Sequence, residues 1–428
     1  MKSRAKLISI YSNHNSKKYT LFNLSFLKNK PKDKDPFSEN TIALDVGTEY
    51  VKSAIFSITN GQVHIKGYSK AKQQTDAMKG AMIVDLQNVI ENCDLAIGEA
   101  LSSVDKSEAL PTKVILGIAG ELVYGITVMS SFERDHPEIK IDQKELDDVI
   151  ADVRKNSFPQ AKEQIVKDMG MENMNIEEID SVINDTFIDG FRVNNPIGFV
   201  GKNVSFRVFS TFSPSVHLTS LKTIAKALDL SISAIVVEPY AIARAFRGAK
   251  SDKFSAVFVD IGGGTTDLAL VESGGVIGTK MFALGGRVFT KRVEQVLGQQ
   301  YEIAEEKKIL YSEDKLEPVE KIKIGKAMIR DAKTLVRGIH LSLEDFEDIE
   351  NYPSQILLCG GGSLLPEIKT EILNYPWLQE LPFARFPKVD FIKPDMLSDI
   401  IDETGKANHV TDVAALSLAR MALEIKNK

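Results

Sequence analysis

The sequence predicts an α/β protein made of two similar halves, with an α+β segment inserted in the first. Three observations predict it. Two strand–turn–strand segments share one grammar, an apolar strand ending in aspartate, a Gly/Thr turn and a strand leading away. They are Thr41–Asp45, Val46-Gly47-Thr48 and Tyr50–Phe56, then Ser255–Asp260, the turn Ile261 to Thr266, and Asp267–Val271. The stretch between them does not repeat, which marks an insertion. A third buried strand, Ile356–Cys359, runs into Gly360, Gly361, Gly362 and Ser363 and then a helix starting near Pro366.

Taken in order, residues 1–39 form a basic arm. Lys2, Arg4, Lys6, Lys17, Lys18, Lys28 and Lys30 alternate with Leu7, Ile8, Leu21, Phe22 and Phe26, and the arm ends in the polar run KNKPKDKDP. That run reads as a linker, so the arm is expected to be flexible and the ordered body to start near Thr41. Residues 40–120 carry the first part of the first domain. Residues 121–206 are the insertion: Asp142 with Glu145 makes a capping box, Leu146, Val149, Ile150 and Val153 follow at helical spacing, and strand-like runs cover 181–193 and 203–212. Residues 207–249 complete the first domain as helix, strand and helix, the last with Pro239 at its start. Residues 250–288 open the second domain, 289–350 are charged and helical, and 351–428 close it.

The chain has 428 residues, 43% hydrophobic and 26% charged, enough for two cores. A net charge of −6 provides no general field for nucleic acid, so none is expected as a partner. The two cysteines, Cys93 and Cys359, lack the spacing of a disulfide framework or zinc cluster, and a reducing, cytoplasmic setting is expected. No apolar run approaches the roughly 20 residues of a membrane span. The six histidines show no metal-ligand spacing and read as ordinary surface or core residues.

A polyphosphate needs close backbone N–H groups, which glycine permits, together with hydroxyls and a carboxylate to hold hydrated Mg²⁺. Asp45, Gly47 and Thr48 form one such set; Asp260, Gly262, Gly263, Gly264, Thr265 and Thr266 form a longer one. Each motif also reads as a tight turn. The order of all three, ending in Gly360 to Ser363, favours phosphate chemistry.

With these motifs the chain resembles the actin, heat-shock chaperone and sugar kinase superfamily, and within it the FtsA family. Lys79–Asp85, the stretch from Asp189-Gly190 to Gly201, and Ala304–Ile309 carry the closer resemblance. It covers roughly residues 40–425. It implies duplicated actin-like (ribonuclease H-like) domains around a nucleotide cleft, with ATP and Mg²⁺ as cofactors and slow ATPase activity. Asp45 and Asp260 would hold the Mg²⁺ shell through water, Gly47 and Thr48 would meet the β and γ phosphates, and Gly262 to Thr265 would cradle the γ end. Glu238 matches a carboxylate that orients the attacking water, and Glu238 with Asp260 would form the catalytic pair; an acid favoured by the helix dipole is an equal reading of Glu238. Glu305 and Lys308 would touch adenine and ribose, although their spacing alone suits an exposed ion pair. Gly285 and Gly286 would turn the chain beside the nucleotide.

The resemblance further implies a polymerising scaffold that links the ring of FtsZ to the inner face of the cell membrane, with the C-terminal tail of FtsZ docking on residues 289–350 and the insertion meeting the next subunit. The amphipathic C-terminal helix usual in that family is not evident in Val413–Ile425, which reads as a buried helix, and the basic arm is the candidate for the lipid contact. The alternatives are a cytoplasmic component of type IV pilus assembly resembling PilM and, from another class, a sugar or acid kinase.

Overall fold

Strand alternation and glycine-closed turns organise the first half of the chain. The structure, a computed structural model, describes residues 37, 39–119, 123–169, 175–193, 195–247, 254–346 and 349–426. The basic arm therefore lies outside the described residues apart from Phe37 and Glu39. In chain order β1 (Thr41–Val46), β2 (Tyr50–Thr59) and β3 (Gln62–Lys72) form an antiparallel meander, followed by the small hairpin β4 (Met78–Lys79) and β5 (Met82–Ile83). Asp85 then caps α1 (Leu86–Leu101), its carboxylate accepting from the Asn88 amide at 3.1 Å. β6 (Lys113–Ile118) lies parallel to β1.

The next elements are β7 (Tyr124–Glu133), α2 (Gln143–Met169), β8 (Ile176–Ile188), β9 (Phe191–Val193) and β10 (Asn203–Pro214). The Asp142 carboxylate accepts the Glu145 amide at 2.8 Å, the N-terminal half of the expected capping box. Glu145 turns instead to Arg134, whose Nε donates to it at 2.6 Å. Leu146, Val149 and Ile150 of α2 are buried against Ile183, Val204, Phe206 and Val208 of the strands, a small core of their own. β10 runs directly into α3 (Ser215–Ala227), then β11 (Ser231–Val237) and α4 (Glu238–Arg247). The helix begins at Glu238, one residue before the proline, so Pro239 fills an early position where its missing N–H costs nothing.

The second half repeats the plan. It has β12 (Ala256–Ile261), β13 (Thr266–Glu272), β14 (Gly275–Phe282), α5 (Gly286–Leu297), α6 (Tyr301–Ser312), α7 (Pro318–Glu344), β15 (Gln355–Cys359), α8 (Pro366–Asn374), α9 (Trp377–Glu380), β16 (Lys388–Phe391), β17 (Ile400–Asp402) and α10 (Val413–Ile425). A 3₁₀ turn over Gly361–Leu364 stands between β15 and α8. The first sheet has the order β11-β6-β1-β2-β3-β17 and the second β16-β15-β12-β13-β14-β7-β10-β8-β9. β17 crosses back to join β3, and the strands of the inserted stretch extend the second sheet.

Period-two alternation in β12 shows how the halves share cores. Ala256 and Phe258 point into the larger core with the first-half strands, α4 and α10, whereas Val257, Val259 and Ile261 point into a second core under α5, α7 and α8. Burying a side chain such as Phe258 is worth about 1.5–3 kcal/mol, so both faces of this strand anchor the cleft. α10 is buried along nearly all its length, including its polar stripe. Ser417, Arg420 and Glu424 face inward, and Glu424 takes a two-pronged contact from Arg244 of α4 at 2.7 and 2.9 Å. Among the described residues no helix is long and apolar enough to cross a membrane.

Candidate nucleotide site

Ladder register places the two tips. The β1–β2 pairing closes at Val46 opposite Val51, leaving Gly47 to Tyr50 as the turn and setting Asp45 opposite Lys52. The β12–β13 pairing closes at Ile261 opposite Thr266, leaving Gly262 to Thr265 as the turn and setting Asp260 opposite Asp267. Both turns face one cavity of about 360 Å³, within the range of small-molecule sites.

Asp45 is buried and ion-paired, Lys52 Nζ lying 2.7 Å from its Oδ2. Burial works against the charge on Lys52, but Asp45, with Asp260 and Glu238 behind it, outweighs burial and holds the ammonium above its usual range. Thr48 Oγ1 donates to Gly80 O at 2.8 Å, tying the first turn to the β4–β5 hairpin. On the second turn, Thr265 Oγ1 donates to Asp267 Oδ2 at 2.9 Å and the Gly262 amide to Thr265 O at 2.9 Å. Burial pushes the Asp260 carboxyl up to about 6; Asp45 adds to this, and Lys52 and a hydrogen bond with Cys359 oppose it.

Glu238 opens α4 at the far wall, and a Cβ on Gly117 would lie 2.3 Å from its Oε1, so the glycine of β6 leaves room for this carboxylate. Burial first, then Asp45, with Asp260 and Asp267 adding, raises Glu238 well above the carboxylate range against the pull of Lys52. Glu305 and Lys308 are buried and 2.7 Å apart, not an exposed pair. Lys308 Nζ also donates to Thr290 Oγ1 at 2.9 Å and to Gly286 O at 3.2 Å. Gly360 has φ of +80°, and a Cβ there would fall 2.1 Å from Asp260 Oδ1.

Of the residues expected from the sequence, Asp45, Gly47, Thr48, Glu238, Asp260, Gly262, Gly263, Thr265, Gly286, Glu305, Lys308, Gly360, Gly361 and Gly362 line the cavity. Gly264, Thr266, Gly285 and Ser363 do not. Gly264 packs on Thr48 of the opposite turn and on Gly80 of the β4–β5 hairpin, where a Cβ would lie 3.0 Å from Thr48 Oγ1 and Gly80 O. Thr266 donates to Leu284 O at 2.7 Å, Gly285 sits against the Gly262 carbonyl, and the buried Ser363 donates to Gly360 O at 2.7 Å. The structure adds Lys52, Gly117, Asp267 and His217 to the lining. His217 is 7% exposed and its Nδ1 has no hydrogen-bond partner among the described residues; burial pushes its pKa down. One signal for Lys52 was present in the sequence, since a hairpin that closes around a four-residue turn puts it opposite Asp45.

The donor set bears on a metal. Among the described residues no three histidine, cysteine or acidic side chains converge to hold an ion directly. Two aspartates at facing turns suit Mg²⁺, which keeps most of its water and relies on phosphate oxygens for the rest.

The chain is similar to known proteins in sequence and in fold. The family model described as "Cell division protein FtsA" matches residues 257–394, which include the second turn, α5, α6 and β15. Cell division protein FtsA of Streptococcus pneumoniae serotype 2 (strain D39 / NCTC 7466) is 24% identical over 345 residues, covering 76% of this chain and 70% of that protein. Cell division protein FtsA of Pseudomonas aeruginosa is 22% identical over 383 residues, covering 83% and 86%. Among solved structures, the "PilM-PilN type IV pilus biogenesis complex" matches with a TM-score of 0.60 at 15% identity, covering 90% of this chain and 99% of that one. That likeness establishes the fold, which is the actin-like ATPase fold, while the sequence likeness is to the cell-division proteins.

Proposed function

We propose that this FtsA-like cell-division actin homologue binds ATP with Mg²⁺ between its two aspartate-tipped turns and uses it mainly as a switch for self-association. The single observation that carries the reading is the pair of turns, Gly47 to Tyr50 and Gly262 to Thr265, facing one cavity with a carboxylate behind each. Asp45 and Asp260 would anchor hydrated Mg²⁺, Gly47, Thr48, Gly262, Gly263 and Thr265 would receive the phosphates, and Glu305 with Lys308 would meet the nucleoside. Lys52, though ion-paired with Asp45, lines the cavity and would offset phosphate charge.

Glu238 would position the attacking water. Phosphoryl transfer requires positioning and charge neutralisation more than a strong base, so a buried carboxylate whose role is to orient water suits slow turnover. In the same reading the inserted stretch meets a neighbouring subunit, residues 289–350 dock the C-terminal tail of FtsZ, and the basic arm contacts lipid.

Calorimetric titration with ATP in the presence of Mg²⁺ and then of EDTA tests the site. Saturable heat that depends on the metal is expected; a folded protein giving no heat would end the proposal. Binding of a synthetic FtsZ tail peptide, measured by fluorescence anisotropy, tests the partner. Binding only to a pilus-protein peptide would move the protein to the PilM-like role.

A further inference from the structure

The first turn of α5 is committed to the second tip: the Gly286 amide donates to Gly262 O and the Arg287 amide to Gly263 O, both at 2.8 Å. The Arg287 side chain then crosses to the other half. Its Nη1 donates to Met78 O at 2.7 Å, its Nη2 to Thr48 O at 2.8 Å, and its Nε to the Glu49 carboxylate. All three acceptors belong to the first half, and Thr48 and Glu49 are the first tip itself. The side chains of Arg287 and Glu49 are 16% and 15% exposed, so this pair is largely withdrawn from water. Glycine at the second tip makes the approach feasible, since a Cβ on Gly263 would lie 2.3 Å from Glu49 Cγ.

We propose that Arg287 is a cross-cleft staple, a positioning residue that holds the two phosphate tips together and thereby sets how long a nucleotide stays bound. The proposal rests on the reading of the cleft as a nucleotide site. A polyphosphate gripped by both tips leaves when they part, and parting breaks every side-chain bond of Arg287 at once. Contacts of this kind act on the dissociation rate more than on association. A guanidinium is required because its planar fork reaches three acceptors together, whereas a lysine ammonium is a compact point charge that favours one or two of them.

Stopped-flow dissociation of a fluorescent ATP analogue with Mg²⁺ from the full chain, chased with unlabelled ATP, tests the staple. Arg287→Ala is expected to speed release by about tenfold or more, Arg287→Lys by less, and Glu49→Gln by a smaller factor that does not add to that of Arg287→Ala. Thermal unfolding of the nucleotide-free variants is read alongside, because a merely structural role would lower the midpoint and leave the release rate alone. Should Arg287→Ala fail to fold, the lysine and Glu49→Gln variants carry the same test. Folded variants that release the analogue at the wild-type rate overturn the staple alone. A wild-type protein that binds no analogue overturns the nucleotide reading and the staple with it.

Discussion

The two tips share a register, a turn length and a leading aspartate, yet they differ in the residue that the ladder sets opposite that aspartate. Asp45 faces Lys52 and is ion-paired at 2.7 Å; Asp260 faces Asp267 and has no cation across the strand. The first tip is therefore neutralised within its own hairpin. The second carries an acid that burial drives up to about 6 and that gains most from a bound cation. The two turns thus share a backbone plan but differ in charge balance, with Glu238 feeling the field of both.

That difference can be broken in three places, from the largest effect to the smallest. Glu238→Gln should lower ATP hydrolysis by about 10³-fold while leaving affinity within a factor of about two, because it removes a water-positioning group and not a phosphate contact. A phosphate-release assay beside calorimetry checks it; unchanged turnover would return Glu238 to a helix-capping role. Lys52→Met should destabilise the protein by about 3 kcal/mol in urea unfolding, since it strands a buried Asp45 among other carboxylates. A loss under 1 kcal/mol would mean that the first tip tolerates its acid unpaired.

Asp260→Asn should weaken MgATP binding by about 100-fold, the loss of one charge-assisted contact to the metal shell. The same substitution should stabilise the empty protein at pH 7.5, by about 1–2 kcal/mol once the carboxyl's contact with cleft water is allowed for. The sign follows from the raised value: the protonated acid supports the fold fully below about pH 4, and that support fades as the pH rises through about 6. Melting curves of wild type and variant should therefore converge in acid and separate above neutrality. Parallel curves would show that Asp260 is not strained in the empty cleft.

The strand–turn–strand grammar made the fold legible, because apolar alternation and glycine-closed turns are local signals that the structure retains. So was most of the cavity lining, down to Glu305 and Lys308, although their spacing alone suggested a solvent-facing pair. What escaped depended on side-chain direction or close packing. Lys52 reads as an exposed strand lysine until the register opposite Asp45 is counted. His217 sits in an ordinary amphipathic helix, and only the packing of α3 beside β5 brings it to the cavity. Gly263 and Gly264 read as phosphate glycines, yet each also leaves space for the opposite tip, a contact between residues more than 180 positions apart that no local pattern encodes.

The strands inserted in the first half continue the sheet of the second. The junction is narrow: Gly125 of β7 pairs with Thr279 of β14, and Thr127 Oγ1 donates to Ile277 O at 2.6 Å. Gly125 has no freedom to become anything larger, since a Cβ would fall 2.3 Å from Thr279 Oγ1. The insertion thus shares the large core through Val123, Ile179 and Val182, while its sheet pairing with β14 is confined to this one bridge. A shift of β14 would therefore carry the inserted strands with it, since the sheet runs unbroken from β16 to β9.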